Sequence, residues 1–123
     1  MSASAAQAAA FYREVMRSRR VWTIMDESGF PAPISAGGRA IPFWSSLSRV
    51  ELVLEKVAAY RGFTAMELPL DLFLEQWIPG LSRDQMLVGL NWPGEGVVDY
   101  DADPKEVGVR LLSLGANLRR GVP

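Results

Sequence analysis

Cysteine and histidine are both missing from these 123 residues. Without Cys there are no disulfides, no thiolate nucleophile and no sulfur-ligated metal. Without His the commonest general base and the commonest metal ligand go too, so Ser-His-acid and Cys-His constellations have no members here. No apolar run approaches the roughly 20 residues that a membrane span needs. The Ala-rich stretch from Met1 to Ala10 lacks the basic start and apolar middle of a signal peptide, which sets the expectation of a cytoplasmic protein. A surplus of charge is lacking as well. Thirteen Lys and Arg stand against 14 Asp and Glu, and a formal charge of −1 gives no global field toward nucleic acid or an anionic membrane.

What is present is ordinary globular material, 49% hydrophobic and 22% charged, in a length that suits one domain with one core. Residues 1–123 are read as a single domain, with 1–3 and 119–123 expected to fray. The first helix is expected from about Ser4 to Ser18, because Ala8, Phe11, Tyr12, Val15 and Met16 recur at helical intervals. Arg13, Glu14 and Arg17 fall on its solvent face. Val21 to Met25, Phe30 to Ser35 and Arg39 to Phe43 read as three short strands in an antiparallel meander, the last two interrupted by prolines. Trp44 then hands over to a second helix capped by Ser45, Ser46 or Ser48, with Leu47, Val50, Leu54 and Val57 as its buried stripe. A strand follows from Phe63 to Leu68. The next helix carries Leu70, Phe73, Leu74, Trp77 and Ile78 and is expected to stop at Pro79-Gly80.

Met86 to Trp92, apolar almost throughout, reads as a central strand, joined by a hairpin at residues 93–96 to Val97–Tyr100. Asp103, Pro104 and Glu106 open the last helix as cap, first residue and box partner. Its Gly108 and Gly115 together cost roughly 2 kcal/mol of helix propensity. Close approach to a sheet or to a second copy of the chain would explain them. The order α-β-β-β-α-β-α-β-β-α gives an α+β fold: a small, largely antiparallel sheet with about four helices packed on it in a single layer.

The aromatic landmarks Phe11-Tyr12, Val21-Trp22, Pro42-Phe43-Trp44-Ser45-Ser46, Trp77-Ile78-Pro79-Gly80-Leu81 and Val88-Gly89-Leu90-Asn91-Trp92 together resemble a family of small bacterial proteins catalogued as domain of unknown function 2750. The resemblance runs over about residues 4 to 112. It implies a bacterial origin and a stand-alone cytoplasmic domain, and it brings no catalytic residue with it.

Two candidate sites come from the residues themselves. Ser45, Ser46 and Ser48 at a helix start, with Arg39 and Arg49 nearby in sequence, have the chemistry of a small-anion site, although plain capping uses the same hydroxyls. Trp44 and Trp92, at strand ends beside turns, read as an accessible aromatic rim, with Asn91 as a polar contact; interior packing is the alternative. Asp99, Asp101 and Asp103 alternate, but Pro104 and Arg110 stand where a calcium loop needs Gly and a bidentate acid, so no metal is expected. No cofactor and no catalytic residue are assigned. The expected function is a non-enzymatic binding or interaction domain using Trp44, Ser45, Ser46, Arg39, Asn91 and Trp92 toward an unknown protein partner or a small anion. Alternatives are an immunity-type protein that blocks a toxin and a small-anion-binding enzyme or sensor. A homodimer is a further option, and neither nucleic acid nor membrane is an expected partner.

Overall fold

The computed structural model describes residues 3–35, 37–94 and 100–119. Helix α1 (Ala3–Ser18) buries Phe11, Tyr12, Val15 and Met16 on one face, as their spacing requires. It ends at Arg19, whose left-handed φ of 61° turns the chain while its N–H bonds Val15 O at 2.8 Å. Strands β1 (Arg20–Met25), β2 (Ile34–Ser35) and β3 (Gly38–Phe43) lead to α2 (Leu47–Lys56) and a short 3-10 turn at Ala58–Tyr60. Then come β4 (Thr64–Pro69), α3 (Leu70–Leu72), α4 (Ile78–Arg83), β5 (Leu87–Leu90), β6 (Asp101–Ala102) and α5 (Pro104–Arg119). The fold is α+β, in the element order that the sequence implies.

The pairing of the strands differs from a meander. β1 pairs antiparallel with β4 as a two-stranded sheet, and β2-β3-β5-β6 form the other sheet. Pro31 and Pro33 keep the chain before β2 out of a ladder, so β1 is left to take a distant partner. β3 and β5 run parallel, while the remaining pairs are antiparallel. One bridge joins the sheets: Trp22 and Trp44 exchange backbone hydrogen bonds of 2.8 and 2.7 Å. Ala40 N–H bonds Pro33 O on that same edge of β3, so the missing N–H of Pro42, between positions 40 and 44, falls there too. With no N–H at Pro42 the pairing of β1 with β3 stops at that bridge, and the Pro42 carbonyl accepts from Thr23 Oγ1 at 2.8 Å.

Alternation along the strands sends side chains to two faces. Ile41, Phe43, Val88 and Leu90 pack with α1, Phe73, Ile78 and Leu81, and with Val107 and Leu111 of α5. Ala40, Trp44 and Leu87 turn the other way, onto Val50 and Val53 of α2. Helices therefore cover both faces, where a single layer was expected, because β3 and β5 are apolar on both sides. Leu47 is exposed in the first turn of α2, and Val53 takes the buried place expected of it.

Pro79-Gly80 does not stop its helix. A π-helical turn (Phe73–Trp77) separates α3 from α4, and Ile78 N–H reaches five residues back to Phe73 O. The wider turn moves the carbonyl that a proline ring would otherwise strike, so the helix passes through Pro79 and ends at Arg83. Gly108 and Gly115 are both buried within the chain. An added Cβ would crowd Ile78 at 3.3 Å from Gly108, so close helix packing inside the protein accounts for that glycine, while at Gly115 it would meet Met16 at 3.5 Å, an ordinary contact. The hairpin after Pro93 and the strand expected at 97–100 fall largely on 95–99, outside the described residues, as do 1–2 and 120–123.

Candidate functional site

The carboxyl ends of the parallel strands β3 and β5 bring together four of the residues singled out in the sequence: Trp44, Ser45, Asn91 and Trp92. They form an interior, not a rim. Trp44 is 1% exposed and Trp92 is 5% exposed. Trp44 extends the β3 alternation onto the α2 side of the sheet, and its Nε1 donates to Trp92 O at 2.8 Å. Trp92 Nε1 donates to Asp101 Oδ1 at 3.1 Å, which gives that aspartate a partner inside the fold. Gly89 makes room for this ring: an added Cβ would lie 2.6 Å from Trp92 Cζ2.

Asn91 is buried at 1% exposure and held at a φ of 52°, a conformation that Asn tolerates better than most residues. Its Oδ1 accepts from Ser45 N–H at 2.9 Å, and its Nδ2 donates to Ser45 Oγ at 2.9 Å and to Gln7 O at 3.2 Å. Ser45 Oγ donates onward to Glu14 Oε1 at 2.7 Å. Arg49 then closes a fork on Glu14, with Nε to Oε1 at 2.9 Å and Nη2 to Oε2 at 2.7 Å, and reaches Gln7 Oε1 at 2.6 Å. The guanidinium bonds, and to a lesser extent Ser45, hold the Glu14 carboxyl down at a pKa of about 2 against the opposing effect of partial burial. The same pair raises Arg49. A small-anion site at Ser45, Ser46 and Ser48 with Arg39 and Arg49 nearby was the expectation; of these, Ser45 and Arg49 meet the chain's own Glu14.

Ser46 is the helix cap, accepting from Arg49 N–H at 3.3 Å. Arg39 lies apart on the β2–β3 hairpin, exposed, with Nη1 bonded to Ala32 O at 2.8 Å. Asp103 caps α5 through Lys105 N–H at 2.8 Å, Asp99 is outside the described residues, and those residues hold no acidic cluster suited to a metal. Gln7 and Glu14 escaped the sequence reading, which put Glu14 in solvent. Their separation of seven places them on one helical stripe, the one signal that pairs them.

An open cleft lies elsewhere, between α1 and α5. It has a volume of about 320 Å³ and is lined by Ala5, Ala8 and Ala9, Tyr12, Tyr100, Ala102, Glu106 and Arg110. The Arg110 guanidinium carbon sits 4.3 Å above the centre of the Tyr12 ring. Burial pushes the Tyr12 phenol up from its ordinary value, with Arg110 opposing and Tyr100 and Glu106 reinforcing, so it stays a neutral hydroxyl. The sequence carried a trace of this site in the small residues of α1 and the Glu106–Arg110 spacing.

The fold and these sites define a small α+β domain with a fixed polar interior and an aromatic, charged cleft. The chain belongs to the family described as protein of unknown function (DUF2750), whose pattern it matches over residues 8–111. None of the curated proteins compared with it matches the chain. Among the described residues no helix is long and apolar enough to cross a membrane.

Proposed function

We propose that this protein is a non-enzymatic binding domain whose recognition site is the cleft between α1 and α5. One observation carries this reading: two tyrosines and two opposite charges converge on an alanine-floored cavity of ligand size. The buried network around Glu14 is a poor alternative, since each of its groups already has a partner within the chain. The lack of His and Cys in the sequence favours binding over catalysis. A bacterial, cytoplasmic setting goes with the same reading, as the resemblance implied. A homodimer would have to use surfaces other than the two glycines of α5, which face Ile78 and Met16.

An NMR screen of a chemically diverse fragment set tests the site. Amide shifts should cluster at Tyr12, Tyr100, Glu106 and Arg110. A set of several hundred fragments that leaves these residues unmoved would refute the cleft as a recognition site.

A further inference from the structure

Glu106 and Arg110 are four residues apart on α5, the order and spacing at which a carboxylate and a guanidinium normally pair. They do not pair. The ion pairs among the described residues are Arg20–Glu67, Arg49–Glu14 and Arg83–Asp84, and neither Glu106 nor Arg110 accepts or donates a hydrogen bond through its side chain there. Arg110 instead sets its guanidinium carbon over the Tyr12 ring, 4.3 Å from its centre. A cation over a ring keeps its N–H groups for an outside acceptor, and a carboxylate is the planar acceptor that a guanidinium fork fits best. One helical turn earlier, Glu106 presents a carboxylate to the same cleft.

We propose that the cleft takes a small zwitterion, a free α-amino acid with an apolar or aromatic side chain; this rests on the cleft being the recognition site. Arg110 receives the carboxylate and Glu106 the ammonium, so the ligand completes the pairing that the helix leaves open. The two charges decide against simpler ligands. A bare anion that meets Arg110 also meets Glu106, and a bare cation meets the reverse. The side chain rests on Ala5, Ala8 and Ala9, where small residues leave space, and is covered by the exposed ring of Tyr100. A volume of about 320 Å³ lies at the small end of ligand sites, roughly 300–1,000 Å³, which suits a single amino acid. A peptide end carries only one of the two charges nearby, since each added residue moves its other terminus up to about 3.5 Å further away.

Four kinds of probe test this by amide NMR and calorimetry: leucine and phenylalanine, N-acetyl-leucine without the ammonium, isoamylamine without the carboxylate, and the dipeptide Leu-Leu. The free amino acids should shift Tyr12, Tyr100 and Arg110, and each altered probe should bind at least tenfold more weakly. Glu106→Gln and Arg110→Gln, both exposed positions where Gln keeps helix propensity, should each weaken leucine binding at least tenfold with unchanged circular dichroism. Altered probes that bind the cleft as tightly as leucine would overturn the zwitterion assignment and leave the cleft standing. A cleft that responds to none of the probes, nor to the fragment set, would overturn both.

Discussion

Glu14 occupies the position that a bound anion would take at the start of α2, and the residues around it behave as a ligand site already filled. Its fork with Arg49 is about a quarter exposed on both sides, so it is more than a surface pair but short of a sealed one. The folded pKa of about 2 lies below the ordinary carboxylate value of 4.5. The stabilisation is therefore complete above about pH 5 and is lost as pH falls toward 2. Glu14→Gln should lower stability at pH 7 by about 2 kcal/mol, after allowance for solvent screening. Urea titrations should show that gap closing as the pH is taken from 5 to 2. A gap that does not vary with pH would mean that the pair is electrostatically idle.

At the level of elements, β5 depends on a glycine. Gly89 is the place where the strand meets the Trp92 indole, and no side chain fits there without moving the ring. Moving it would break the Nε1 bonds to Asp101 Oδ1 and Tyr100 O, which tie β6 to the end of β5. Gly89→Ala should cost about 3 kcal/mol by overpacking, read as a fall in melting temperature. A stability change within 0.5 kcal/mol of zero would show that the ring has room. The elements themselves were legible from local signals: the Asp103-Pro104 start of α5 and the apolar run at Leu87–Leu90 stand as read, while Glu106 does not close the expected box back onto the cap. Partners were not legible. That β1 would skip β2 for β4 depends on which distant strand offers a free ladder, and nothing local to Val21–Met25 records it. The helix through Pro79 was misjudged for a related reason, since the π turn that rescues it lies several residues upstream. The candidate site failed at exposure: Trp44 and Trp92 do stand at strand ends, but α2 packs over them and each indole N–H is bonded inside the fold.

Across the whole molecule, the two apolar clusters share one thin partition. Adjacent residues of β3, Ala40 and Ile41, belong to opposite faces, and so do Leu87 and Val88 of β5. α1 spans the division, offering Phe11 and Val15 to one cluster while Gln7 and Glu14 grip Arg49 at the start of α2. Neither face can dissolve without freeing strands that the other needs. Unfolding should then be a single cooperative step, with the same urea midpoint from tryptophan fluorescence and from far-ultraviolet circular dichroism. Two separated midpoints would show that the α2 face opens on its own.

The sealed indoles have a practical corollary. Trp44 and Trp92 lie in the interior, hydrogen-bonded through their own ring nitrogens, whereas the cleft is walled by Tyr12 and Tyr100. Emission from Trp44 is a gauge of intactness, whereas Trp92 stands one hydrogen bond from Tyr100 and the cleft wall. An optical assay for whatever enters the cleft has to watch the phenols and that second indole.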